Sequence, residues 1–481
     1  MTSTTSDPQN ARPFLLDGAW HSAGSLVEVR SPFDGQLVAQ VHQGTRAHAD
    51  AAIAAAVRAF EITRKLGGYE RQRVLHEVSA ALAKRKEEFA LVMAREAGKP
   101  LKAARVEVER AAFTFQVAAE EATRLGGEYL PLDWQASTAG RWAIVRRFAL
   151  GPIGGITPFN FPLNLVAHKL APAMAAGCSF VLKPAPQTPL SALLLAEVIE
   201  QAGWPAGGLN VLPLSNEDAG LLVTDERLKM ISFTGSAKVG WQIKSQAGKK
   251  KVVLELGGNA GVIVHGDADL ACAAERCVAG GFSYAGQTCI AVQRILVERP
   301  VYDKFVELLL ARVAKLKSGN PLDETVDVGP LIRESDAIRA EQWVREAVAA
   351  GARLLCGGKR SGSMLEPTVL TDTTAQMKVN CEEVFAPIVT IEAYADFAQA
   401  IAMVNQSSYG LQAGLFTRDA NRIFRAFEEI EVGGLMIGEV PTFRIDHMPY
   451  GGVKDSGQGR EGIRYAMEEM TEPRLLAMNL R

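Results

Sequence analysis

The sequence predicts an α/β protein built on a doubly wound, mostly parallel sheet. Three observations carry this reading. From about residue 141 to 258, short apolar runs ended by Gly or Pro alternate with helical periodicity. Runs that are apolar throughout suit strands buried on both faces by crossover helices. A second alternating set follows from about 262 to 450, and glycine is abundant, 44 of 481 residues, as the many tight strand-to-helix turns of such a fold require.

In chain order, residues 46 to 124 read as helical. "RAHADAAIAAAVRAFEI" and "RQRVLHEVSAALAKRKEEFALVMAREAG" repeat apolar residues at i, i+3, i+4 and i+7, and "KAARVEVERAAFTFQVAAEEATRL" continues the pattern. "WAIVRRFA" alternates weakly and reads as a strand. "PIGGITP", "SFVLKPA", "LNVLPL", "LKMISFTG" and "KKVVLELGG" follow as buried strands, with helices "SALLLAEVIEQAG" and "SAKVGWQIKSQAG" between them. The later set includes "ILVERP", "YDKFVELLLARVAKLK", "FAPIVTIEAY", "FAQAIAMVNQ" and "LQAGLFT". The tail "EPRLLAMNL" reads as a lone final strand, for which the sheet of another subunit is a candidate partner.

At 481 residues the chain is expected to hold two or three domains. With 52 basic against 54 acidic side chains it carries no footprint for nucleic acid and no polybasic membrane patch. No apolar run approaches the length of a membrane span, and "MTSTTSDPQNARPFLLDGAW" lacks the regions of a secretory leader. The six cysteines form no C-x-x-C pair and have no His at ligand spacing, so no metal site is expected, and reduced thiols in the cytoplasm fit best.

Several short stretches place reactive residue types where a doubly wound sheet binds ligands, at strand carboxyl ends. "FTGSAKVG" opens a helix at Gly235 and Ser236. It suits either phosphate oxygens on backbone N–H groups or an ordinary capped turn. Lys183 in "VLKPAPQTP" ends a buried-looking strand, as a ribose or phosphate partner or as a snorkelling lysine. Glu255 in "LELGGNA" is a carboxylate in an apolar run, either a base with a raised pKa or a side chain that reaches solvent. Asn160 in "TPFNFPLN" offers an amide to an oxyanion or closes an Asx-turn. Cys289 in "YAGQTCIAVQR" is either a packed small hydrophobe or a nucleophile.

Taken together, "TPFNFP", "VLKPAPQTP", "FTGSAKVG", "LELGGN", "GQTC", "EEVFAPIV" and "PYGGVKDSGQGREG" stand in the order and spacing of the aldehyde dehydrogenase superfamily. The chain resembles that NAD(P)-dependent family along essentially its whole length, notably its lactaldehyde, non-phosphorylating glyceraldehyde-3-phosphate and phosphonoacetaldehyde dehydrogenase-like members. The resemblance implies Cys289 as nucleophile, Asn160 and the Cys289 N–H as oxyanion donors, and Glu255 as the base that activates water. It implies a cofactor, NAD and/or NADP, held by Thr157, Pro158, Phe159, Lys183, Pro186, Gly235, Ser236, Leu256, Glu383 and Phe385. Arg105, Phe161, Thr288 and Arg444 would face the substrate.

It further implies a Rossmann-like cofactor domain (1–124 and 149–256), an α/β catalytic domain (257–450) and a small β oligomerisation extension (125–148 and 451–481) that joins a homodimer or homotetramer. Glu255 argues against the acyl-CoA-forming branch, which typically lacks a carboxylate there. Pro186 replaces the acidic residue with which many NAD-specific relatives repel a 2′-phosphate. Tyr450 stands where Phe is commoner.

The expected substrate is a small polar aldehyde, 2-hydroxylated or anionic-ended, because an Arg fork suits carboxylate, phosphate, phosphonate or sulfonate. Arg105 could instead pair with Glu109, and Arg444 with Asp446. A succinic-semialdehyde or broad-specificity dehydrogenase is the alternative. A catalytically retired binding protein and a cofactor-free thiol hydrolase belong to other classes.

Overall fold

The computed structural model describes residues 11–479. The first ten residues, part of the stretch read for a leader, and the last two, including Leu480 of the final strand, lie outside the described residues.

Five parallel strands form the centre of an eight-stranded sheet: Ile153–Ile156, Phe180–Lys183, Leu209–Val211, Met230–Thr234 and Lys251–Glu255. In space the third strand of the chain neighbours the second, then come the first, fourth and fifth. The order reverses between Ile153–Ile156 and Met230–Thr234. The loops after those two strands therefore diverge and leave a crevice at their carboxyl ends. The helix Asn164–Ala176 is buried at all thirteen positions, which explains its apolar composition and makes its His168 and Lys169 exceptional.

A seven-stranded sheet holds Ala260–Val264, Val292–Glu298, Thr368–Thr371, Ile388–Tyr394, Gln412–Phe416 and Gly434–Ile437 in parallel, with Arg353–Cys356 antiparallel at one edge. One apolar core gathers side chains from residues 14 to 256, and another from 262 to 440. Ile463, Met467 and Met470, which the expected division gives to the extension, pack into the first core from the helix Ile463–Glu469 and the residue that ends it.

The final strand is not lone. Thr471–Asn479 pairs along nine residues with Arg141–Ala149 of its own chain, which also pairs with Gly127–Pro131. The outer edge of Thr471–Asn479 pairs with nothing among the described residues, and Leu475 and Leu476 stand exposed there. The helical stretch resolves into Arg46–Thr63, Gly68–Lys84, Lys86–Ala97 and Leu101–Glu121. The antiparallel pairs Phe14–Leu16 with Ala19–His21 and Ser25–Arg30 with Leu37–Gln43 precede it, the first closed by a two-residue Asp17-Gly18 turn with both φ positive. No helix among the described residues is long and apolar enough to cross a membrane.

Candidate active site

The strand Lys251–Glu255 leads directly through Gly257 and Gly258 into Ala260–Val264 of the other sheet. Glu255, at a carboxyl end of the first sheet, thus meets the loops before Val292–Glu298 and Ile388–Tyr394 of the second. A cleft of about 280 Å3 lies at this junction. Pro158, Phe159, Asn160, Gly235, Ser236, Glu255, Leu256, Cys289, Glu383 and Phe385 all line it, drawn together from across the chain.

Cys289 is presented by a tight turn. Tyr284, Ala285 and Gly286 are consecutively left-handed, with φ of 50°, 53° and 69°. Such angles cost a side-chain-bearing residue about 1 kcal/mol or more each. At Gly286 a Cβ would stand 2.3 Å from the Ala386 carbonyl oxygen, so only glycine fits. The turn is over-determined by its surroundings. The buried Tyr284 hydroxyl donates to the Ala97 carbonyl at 3.0 Å. Gln287 donates to the Pro330 carbonyl at 3.2 Å and accepts from the Ile332 N–H at 2.8 Å.

The thiol is half-buried. Desolvation pushes its pKa up to about 12, against hydrogen bonding by Tyr450 and the charge of Arg444. Asn160 donates through Nδ2 to the Gln287 carbonyl at 3.0 Å. That contact fixes the amide beside Cys289 and leaves its second N–H uncommitted. The Cys289 N–H donates to no group among the described residues. Asn160 and Cys289 thus each bring an uncommitted N–H to one cleft, donors of the kind an oxyanion needs.

Glu255 is 3% exposed and neither carboxylate oxygen has a hydrogen-bond partner. Burial raises its pKa, and the charge of Glu461 adds to the rise, opposed by Arg444, Lys169 and Arg460. A buried carboxyl with free lone pairs and a raised pKa is suited to take a proton from water.

On the cofactor side, Glu383 accepts from the Gly258 N–H at 2.9 Å, and burial raises it to about 7. A Cβ at Gly257 would approach Glu383 Oε2 to 2.4 Å, so a larger residue there would displace that carboxylate. Ser236 caps the helix Ala237–Gln246 with no side-chain cap bond, so the N–H groups of that helix entrance open onto the cleft. Lys183 lies away from the lining, buried, with Nζ donating to Asn216 at 3.1 Å; burial lowers it to about 8. Pro186 is exposed, and Thr157 is buried with Oγ1 unpartnered. Phe385, at φ 50°, meets Phe159 edge-on at 6.0 Å.

None of the four residues expected to face substrate lines this cleft. Arg105 is not brought to the cleft. Its guanidinium forks onto Glu324 at 2.6 and 2.7 Å and also holds Glu87, while Glu109 pairs with Lys86. Two carboxylates out-compete a single i+4 partner for a five-donor fork. Phe161 lies under Lys99, whose Nζ stands 3.8 Å from the ring centroid, outside the cleft. Thr288 lines a small neighbouring pocket and donates through its N–H to Gly286.

Arg444 is nearly fully buried. It bonds Glu461 at 3.0 Å rather than Asp446, which is taken by Arg110 at 2.7 Å and His168 at 2.8 Å. Its Nε has no partner.

The sequence singled out Tyr450 without assigning it a role, and gave no place to Glu461 or Lys169. Tyr450 Oη stands 3.0 Å from Cys289 Sγ, and Lys169 bonds Glu461 at 3.3 Å and Ser232 at 3.0 Å. A signal did exist for Lys169, a lone lysine inside the apolar run "NLVAHKLAPAMAAG".

The aldehyde dehydrogenase family model matches residues 20–476. The chain is 46% identical over 481 residues, covering all of both proteins, to a 3-sulfolactaldehyde dehydrogenase of Priestia aryabhattai. It is 38% identical to a lactaldehyde dehydrogenase of Methanococcus aeolicus, covering 97% of this chain and 99% of that one. Among solved structures, aldehyde dehydrogenase 21 from Physcomitrella patens, in complex with the reaction product succinate, superposes with a TM-score of 0.96 at 47% identity, covering 98% of each chain. The glyceraldehyde-3-phosphate dehydrogenase from Methanocaldococcus jannaschii, complexed with NADP, superposes with a TM-score of 0.91 at 40% identity, covering 95% of this chain and all of that one.

Proposed function

The chain belongs to the aldehyde dehydrogenase family, and from that premise we propose that it oxidises a small polar aldehyde, 2-hydroxylated or anionic-ended, to the acid through a covalent adduct on Cys289. It is an NAD(P)-dependent dehydrogenase. One observation carries the proposed roles: a thiol, an unpartnered buried carboxylate and an anchored amide line one cleft.

The Cys289 thiol loses its proton to solvent, and the thiolate adds to the aldehyde carbon to give a thiohemiacetal. The Asn160 amide and the Cys289 N–H receive the oxyanion. The bound cofactor supplies the acceptor for the hydride whose loss leaves a thioester on Cys289. Glu255 then takes a proton from water, which attacks the thioester and releases the acid and the free thiol.

The cleft fits the cofactor's groups. The helix entrance at Ser236 would offer N–H groups to the pyrophosphate, past Gly235, whose own N–H is held by the Glu255 carbonyl at 3.0 Å, with Pro158 and Phe159 along the channel and Leu256 beneath. Glu383 in the cleft and Lys183, set back from its lining, would hold the two riboses, and Phe385 would face the nicotinamide end. At Gly235 a Cβ would come within 2.5 Å of the Phe233 ring, so the close approach is available only to glycine. No acidic side chain stands at the exposed Pro186 to repel a 2′-phosphate.

Both NAD and NADP should therefore support turnover, and a preference for NAD above about a thousandfold, roughly 4 kcal/mol, would contradict this. Binding titrations at pH 6, 7.5 and 9 should find each cofactor bound tightest at 7.5. Below about 7 Glu383 gains a proton and loses acceptor strength for ribose hydroxyls; above about 8 Lys183 loses its charge.

Arg444, buried near Cys289 with one N–H unpartnered, supports an anionic or hydroxylated substrate end, in keeping with the sulfolactaldehyde and lactaldehyde named for the relatives. We expect kcat/KM for lactaldehyde or 3-sulfolactaldehyde to exceed that for hexanal and benzaldehyde by about tenfold or more, some 1.4 kcal/mol. A panel led by hexanal or benzaldehyde overturns the substrate class and leaves the dehydrogenase assignment standing. Succinic semialdehyde and glyceraldehyde 3-phosphate complete the panel and test the alternative reading.

The assembly is a homodimer or homotetramer in this proposal, supported by two open sheet edges, at Thr471–Asn479 and Gly434–Ile437. Sedimentation velocity should give a dimer or tetramer at micromolar concentration, and a monomer there would sink the idea. The six unpaired cysteines fit a reducing cytoplasm, where cell fractionation should recover the activity.

A further inference from the structure

Tyr450 is 3% exposed, and its hydroxyl has one hydrogen-bond partner among the described residues, the Cys289 sulfur at 3.0 Å. Its ring packs with Ile290, Leu411 and Cys289. Arg444 covers a face of that ring, with the guanidinium carbon 3.6 Å from the centroid.

Arg444 is itself held by Glu461. Glu461 is fixed beside Tyr450 by a reciprocal backbone bridge, with N–H to carbonyl distances of 3.0 and 2.6 Å. The hydroxyl is therefore aimed by backbone pairing, aromatic packing and a buried ion pair.

The chemistry of the contact is asymmetric. A neutral thiol and a phenol share a weak hydrogen bond in which either is donor. A thiolate can only accept, and then the bond is charge-assisted and about twice as strong. A cation over the ring face stabilises negative charge drawn toward the phenol oxygen, which makes the O–H a better donor. The contact thus favours the ionised sulfur over the protonated one. It also fixes where the sulfur points.

We propose that Tyr450 is a positioning residue for the nucleophile: its hydroxyl donates to the Cys289 thiolate, and Arg444 stacked on its ring strengthens that donor. Burial keeps the phenol protonated, so it remains a donor across the working range of pH. When the sulfur adds to the aldehyde its charge passes to the carbonyl oxygen, and the Tyr450 bond weakens as the Asn160 bond forms.

The proposal rests on Cys289 as the nucleophile, but its test reads the sulfur directly. The full-length enzyme and Tyr450→Phe are alkylated with iodoacetamide between pH 6 and 10, and modification is followed by mass spectrometry on the peptide that contains Cys289. This separates it from the exposed Cys272 and Cys381. Phe keeps the ring and its packing, and NADP affinity serves as the control for fold.

The expected result is alkylation about tenfold slower at every pH in that range, the mark of an apparent thiol pKa raised by about one unit, with kcat/KM lowered about tenfold as well. KM for the cofactor stays unchanged. Superimposable alkylation profiles overturn the proposal, whatever the activity does. If Tyr450→Phe does not fold, 3-fluorotyrosine at this position, a stronger donor, should lower the alkylation pKa, and an unchanged value again overturns it. Failure of the nucleophile assignment itself would appear separately, as aldehyde oxidation that survives loss of Cys289.

Discussion

Cys289→Ala lowers aldehyde oxidation by on the order of ten-thousandfold or more, while the affinity for NADP changes by less than about twofold. The thiol is the one group in the cleft proposed to bond the substrate, so nothing replaces it. Alanine leaves the presenting turn intact, because that turn is held by Tyr284, Gly286 and Gln287 rather than by the sulfur. The groups proposed to hold the cofactor, Lys183, Glu383 and the helix entrance at Ser236, are all unaltered. A nicotinamide absorbance assay and a fluorescence titration on one preparation check both halves. Appreciable turnover by the variant would remove the covalent route.

Glu255→Gln blocks deacylation far more than acylation. The first turnover still releases reduced cofactor as a burst, and the steady-state rate falls by about 10² to 10⁴. Gln keeps the shape and removes the base. It also removes a buried charge beside Glu461, and the two carboxyl groups repel each other, so the variant should fold at least as stably as the parent. Intact-protein mass spectrometry should then show an acyl adduct that digestion places on Cys289. Unmodified enzyme turning over at the parental rate would contradict the role.

The two effects are separable because the groups reach the cleft by different local routes. Cys289 arrives on a strained turn before one strand, and Glu255 on the last residue of another. Glycines at 257, 286 and 451 let these backbones close in. At Gly451 a Cβ would stand 3.1 Å from Glu255 Oε1.

What the sequence determined by itself is local. Apolar runs of strand length between helical periods specify a parallel sheet, because strands buried on both faces cannot alternate. Residue types out of place in their own segment, such as Lys183 and Glu255, announce a cost that only a ligand or a partner offsets. Those signals lie within a few residues of each other, and motif order added the family.

Only the tertiary structure decided which distant groups meet. Tyr450 reaches Cys289 across 161 positions, and Lys169 reaches Glu461 across 292. Arg105 pairs with Glu324, 219 positions away, instead of with Glu109 on its own helix. Arg444 takes Glu461 and leaves Asp446 to Arg110 and His168. A buried charge chooses its partner by geometry and desolvation, and neither exists until the chain has folded.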